Sequence, residues 1–73
     1  MGELEANIAA TVTAVLGIDG EAATSIAAYL TSHTVGVRNL DELKFVTTED
    51  LAQHLDPIPA RRLVAHWKAE IGR

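Results

Sequence analysis

Four kinds of side chain in this chain could carry chemistry. Glu49 and Asp50 are adjacent carboxylates, the pairing that general acid–base catalysis uses when two environments separate their protonation. Here they follow Thr47 in Thr47-Thr48-Glu49-Asp50. A threonine with an acid three residues later is a helix-start signal, because the acid can accept a hydrogen bond from the cap's N–H. The pattern therefore assigns both acids to a first helical turn, where they oppose the helix dipole favourably. His33, His54 and His66 are candidate metal ligands, but their spacings of 21 and 12 match no ligand motif and the chain has no cysteine. Serines and threonines are numerous without a placeable serine–histidine–acid arrangement, and the five glycines form no phosphate-cradling loop. Arg61, Arg62 and Lys68 make a basic cluster that could meet phosphates, and a net charge of −4 opposes that use. The expectation is a binding surface with no catalytic residues, no metal and no cofactor.

The 73 residues leave room for one domain spanning 1–73. A core this small is marginal, and such chains often lean on disulfides, metals or assembly. Without cysteine, disulfides, thiolate-bound zinc and thiol catalysis are excluded, which fits a reducing compartment. The 48% hydrophobic content argues against disorder. No apolar run approaches the roughly 18 residues of a membrane span. The start, Met1-Gly2-Glu3, is acidic where a secretory signal would be basic, and Ala6 stands where a myristoylation motif wants Ser or Thr. The expectation is a cytoplasmic or nuclear domain without membrane attachment, and a unit of this size reads as a piece of a longer protein.

Charge is distributed unevenly. Residues 1–56 hold nine acids against Arg38 and Lys44, a net −7, whereas residues 57–73 hold four bases against Glu70, a net +3. Such a dipolar molecule can attract its own copies head to tail, and complementary patches speed and orient association.

The elements that must position these residues are all helical. Leu4, Ile8, Val12, Val15 and Leu16 recur at steps of three and four and predict an amphipathic helix over about 3–16, closed by Gly17. Asp19 reads as the cap of a second helix whose apolar face is Ala22, Ala23, Ile26, Ala27, Tyr29 and Leu30. Residues 31–36 are a break. A short third segment over about 39–44 turns Leu40 and Leu43 inward, with Phe45 and Val46 following as core anchors. The fourth, capped by Thr47, runs to about Leu55 with Leu51 and Leu55 inward. Pro59 at the first helical position, with Ile58 extended before it, opens the fifth. Leu63, Val64, Trp67 and Ile71 form its apolar stripe, which assigns Trp67 to the core and not to a stacking platform, and Gly72 stops it. The first two residues and the last are expected to fray.

Phe45-Val46-Thr47-Thr48-Glu49-Asp50-Leu51 and, more loosely, Pro59-Ala60-Arg61-Arg62-Leu63-Val64 resemble the signature of the sterile alpha motif (SAM) domain. In that family a "Leu-Thr-x-Glu-Asp-Leu" entry to the fourth helix is followed by the start of a long fifth one. The resemblance covers about Leu40 to Trp67. It departs from the family pattern at His54-Leu55-Asp56, where the family has Leu-Gly-Ile, and at Pro59-Ala60, where it has Gly-His. It also lacks an early tryptophan. It implies an all-α, compact five-helix bundle that acts as a protein–protein interaction module, a scaffold or signalling unit that oligomerises or pairs with another SAM-like domain. In that mode an acidic middle surface on one copy meets the start of the fifth helix on the next. Carried over residue by residue, the acidic side is Asp41, Glu42, Glu49 and Asp50, and the other is Ile58, Arg61, Arg62 and Lys68. A contact between two different surfaces does not close on itself and gives chains. Two alternatives stay open. One is RNA-hairpin or DNA-backbone binding through the basic surface. The other is a death-fold-like adaptor, a class that usually has six helices.

Overall fold

A computed structural model describes residues 2–72. Among them the chain is all helical: α1 (Glu3–Leu16), α2 (Glu21–Thr31), a 3-10 helix (Leu40–Phe45), α3 (Thr48–Leu51) and α4 (Pro57–Glu70). The five elements fold into a small bundle of 27 × 23 × 22 Å with a radius of gyration of 10.7 Å, close to the ~11 Å expected of a globule this long. Fraying of Met1 and Arg73 falls outside the described residues. Gly2 stands at the cap of α1, its carbonyl accepting from the Ala6 N–H at 3.0 Å.

The apolar stripes read from the sequence build the core. Ile8 and Val12 of α1 meet Ala23, Ile26, Ala27 and Leu30 of α2, and α4 contributes Ala60, Leu63, Val64 and Trp67. Ala23 and Ala27, small and fully buried, let α1 and α2 approach closely. Trp67 is buried in the core, as its place on the stripe requires. Val37, Leu43, Val46 and Leu51 close the core from the middle of the chain. No buried side chain among the described residues is polar.

Several local expectations are corrected. α2 is capped by Gly20, not Asp19: Gly20 takes φ 65° and ψ −139°, a backbone state that only glycine adopts without strain. Its carbonyl accepts the Thr24 N–H at 3.1 Å. Ala22 is exposed and outside the buried face, and Tyr29 is half-buried. α3 ends at Leu51 instead of Leu55, and the chain turns with the His54 and Leu55 N–H groups donating to the Leu51 carbonyl. α4 begins at Pro57, with Ile58 inside the helix. Extended Asp56 (ψ 161°) precedes Pro57, which satisfies the backbone preference before a proline. Pro57 and Pro59 both fall where a helix leaves N–H groups unpartnered, so neither costs a hydrogen bond. The ladder starts with the Ala60 N–H donating to the Asp56 carbonyl at 3.0 Å.

The largest correction concerns the third segment. Leu40 is 46% exposed and Phe45 72% exposed, so neither is a core anchor. The segment is a 3-10 helix, in which three residues make a turn. Val46, three residues after Leu43, therefore returns to the core, while Phe45, two after it, points away. Leu40 shares the inward side but sits at the rim, beside Leu4 and Asn7 of α1.

Candidate functional site

The capping box read at Thr47 is present in full. The Thr47 N–H donates to Asp50 Oδ2 at 2.9 Å, and the Asp50 N–H donates to Thr47 Oγ1 at 3.3 Å. The Thr47 hydroxyl adds a third bond to the same carboxylate oxygen at 3.1 Å. Asp50 thus starts α3. Glu42 braces the start of the 3-10 helix from one residue further out, since the cap there is Asn39. Its Oε1 accepts from the Arg38 N–H at 2.7 Å, while the Glu42 N–H donates to Asn39 Oδ1 at 3.2 Å. Two of the four candidate acids hold the ends of short helices. A carboxylate has about four lone-pair sites, so each keeps acceptor capacity toward a partner.

The four acids do not share one hollow. Glu42 and Asp50 rim a depression floored by Val35, Val37 and Val46 and flanked by Phe45. Asp41 lies beside the first turn of α1, in a hollow with Glu3, Asn7, Arg38 and Leu40. Glu49 faces α4 across a groove lined by Ala52, Leu55, Pro57 and Ala60, with Arg61 on the same groove. The acid and base that the sequence resemblance allots to opposite surfaces, Glu49 and Arg61, are therefore neighbours.

On α4 the buried side is Ala60, Leu63, Val64 and Trp67. Ile58, Arg61, Arg62, Ala65 and Lys68 are exposed, and Ile58 shares a helix face with Arg61 and Arg62 at i+3 and i+4. Ile58 is 62% exposed. The two arginines differ in what they do. Arg62 Nη2 donates to the Val15 carbonyl at 2.9 Å, at the end of α1, whose last turn carries no base of its own. Arg38 does the same for α2: its Nη1 donates to the Thr31 carbonyl at 2.7 Å, again where the helix's own last turn lacks a base. Both guanidinium groups place positive charge at the negative end of a helix dipole. Lys68 stands in the last turn of its own helix.

Phe45 is the functional candidate that the sequence pattern assigns to the core. Its ring carries Lys44 Nζ 5.4 Å from the centroid and is otherwise open at 72% exposure. The signal that could have found it is the spacing itself. Leu43 and Val46 at i and i+3 leave the residue between them outside when the turn has three residues.

The three histidines are not brought together. His33 and His54 are exposed and His66 is half-buried, and no group of three or more His, Asp or Glu among the described residues could hold a metal. His54 packs on Tyr29 of α2, the rings 4.5 Å apart at 50°, which ties the turn after α3 to the bundle. No helix of the described residues is long and apolar enough to cross a membrane. Comparison with protein-family models, with curated proteins and with solved structures gives no match.

Proposed function

We propose that this chain is a protein-interaction module of the SAM kind, which associates with a like helical domain, a second copy or a different chain. One surface is the acidic middle of the chain, with Asp41, Glu42, Glu49 and Asp50. The other is the exposed face of α4, with Ile58, Arg61, Arg62 and Lys68. The observation that carries the reading is Ile58: a large aliphatic side chain 62% exposed in the first turn of α4, followed on the same helix face by Arg61 and Arg62. An apolar anchor surrounded by charge is the usual composition of a binding hot spot, and the charges would supply orientation and on-rate. Glu49, facing α4, would contribute least to the acidic side. Arg62 contributes less to this face than Arg61, whatever the partner, since its guanidinium already serves the end of α1. The cysteine-free composition goes with a reducing, cytoplasmic or nuclear setting, and a scaffold or signalling role goes with the module.

Sedimentation velocity over a concentration series, at low and high salt, tests this reading. Mass is expected to grow with concentration and to fall back when salt screens the charges. Arg61→Glu should abolish that growth without changing the thermal melt measured at concentrations where the parent is monomeric. An Arg61→Glu variant that assembles as well as the parent would remove this face from the interface.

A further inference from the structure

Phe45 is 72% exposed, more than any other large hydrophobic side chain among the described residues. Exposed aromatic rings are enriched where proteins bind one another. Beside the ring lies a hollow of about 120 Å³ floored by Val35, Val37 and Val46, with Glu42 and Asp50 on its rim. That volume is far below the roughly 300–1,000 Å³ that holds a small-molecule ligand, and it suits a single side chain. Both rim acids are only half engaged. Glu42 Oε1 accepts the Arg38 N–H, and Asp50 Oδ2 serves Thr47. Glu42 Oε2 and Asp50 Oδ1 accept no hydrogen bond from the described residues. The ring also shows what it attracts. Lys44 Nζ stands 5.4 Å from its centroid, within reach of a cation–π contact.

We infer that this hollow receives the side chain of an unmodified lysine, presented by a net-basic segment of a different protein. Valines and two free carboxylate oxygens lie within one side chain's reach, so the occupant must be apolar along its stem and cationic at its tip. Lysine is built that way: four methylenes cover the valines and the ring while the charge stays at the rim. Its three N–H donors can bond the two free oxygens. Only one aromatic side chain lines the hollow, so it lacks the aromatic cage that favours a methylated lysine. The surrounding net −7 stretch draws in a basic segment. This chain's own lysines do not fill the role. Lys44 belongs to the edge of the hollow, and Lys68, in the last turn of α4, brings Glu70 with it to an acidic rim. The site shares Glu42 and Asp50 with the acidic side proposed above and gives that side a second kind of partner. It needs neither the α4 face nor a second copy.

A nuclear magnetic resonance titration with a capped peptide of alternating lysine and serine, at concentrations where the chain alone is monomeric, decides the matter. Amide shifts are expected at Val37, Glu42, Phe45, Val46 and Asp50. Phe45→Ala should weaken binding about three- to fivefold, the value of an exposed cation–π contact. Glu42→Gln, which keeps an acceptor for the Arg38 N–H and loses the charge, should weaken it about two- to fivefold. Lys44→Ala frees the ring and removes a like charge, and should tighten binding about twofold or more. The same peptide trimethylated on its lysines keeps its charge and loses its donors, so it should bind more weakly. Ile58→Ser removes the apolar anchor of the α4 face and should bind the peptide like the parent. All four positions are outside the core, and circular dichroism should show parental helicity for each variant. Equal binding by Phe45→Ala and by the trimethylated peptide would mean that the acidic stretch attracts basic chains diffusely, and would overturn the site. Loss of binding in Ile58→Ser would place the peptide on α4 and overturn it too. A parent that self-associates but shows no shift at Val37, Phe45 or Val46 with the peptide would remove the lysine site and leave the module reading intact. A parent that binds the peptide there while staying monomeric at every concentration would sink self-association and leave the lysine site standing.

Discussion

Arg61 and Arg62 are adjacent in sequence and equal in charge, yet they do different things. The Arg62 guanidinium reaches the Val15 carbonyl, 47 residues away, and supplies the cation that the end of α1 lacks. Arg61 faces the groove shared with Glu49. A charge-assisted hydrogen bond at an exposed helix end contributes about 1 kcal/mol. Arg62→Ala is therefore expected to lower the melting temperature by about 4–8 °C, the response of a domain this size to that loss. Arg61→Ala should leave it nearly unchanged, and a pair of thermal melts at concentrations where the chain is monomeric checks both. The sequence exposes the basic cluster but not this division, because the partner of Arg62 lies on another helix and only the tertiary fold brings it near. Trp67 is legible for the opposite reason: its role follows from i, i+4 spacing with Leu63 and from i, i+3 with Val64, which is local. Phe45 is not, because its outward turn depends on which helix type forms, and apolar residues in a run of six look alike in either.

At the scale of elements, strongly periodic α1, α2 and α4 are readable from their stripes, and so is the start of α3 from Thr47 and Asp50. What the sequence leaves undecided are choices between two adequate local solutions. Asp19 is a good cap in isolation, but Gly20 alone can take the positive φ that turns the chain from α1 into α2. Pro59 is a good first residue, but Pro57 with extended Asp56 serves equally and starts the helix earlier. α3 is only four residues long, far too short to persist by its own propensity, so its cap matters more than a cap on a long helix would. Thr47→Ala removes the acceptor for the Asp50 N–H and the hydroxyl bond to its carboxylate. The expected loss is about 1 kcal/mol, read as a lower urea midpoint with an unchanged slope. Amide hydrogen exchange should quicken most at Asp50, whose N–H loses its acceptor, and in the following turn, while the buried amides of α1 keep global protection. Equal acceleration everywhere would mean that α3 unfolds only with the whole domain.

The whole molecule is a small core under an unevenly charged surface. Its buried side chains, among the described residues, are all apolar, and stability at this size is expected at the low end of the ~5–15 kcal/mol range. Association and stability are then linked, since anything that binds the folded chain and not the unfolded one shifts the folding equilibrium toward it. If a second copy is the ligand, the melting temperature of the parent depends on its own concentration. At a hundred times the dissociation constant the stabilisation is ~2.7 kcal/mol, which for a domain of this size corresponds to a rise of roughly 10–20 °C. The rise should shrink in high salt, because the −7 and +3 halves attract each other less when screened. It should vanish in Arg61→Glu, which keeps the whole core and reverses one charge on the exposed face of α4. Calorimetry at concentrations spanning two decades checks this. A parental melting temperature that does not move over that range would mean that no copy of the chain binds another, whatever the charge split permits.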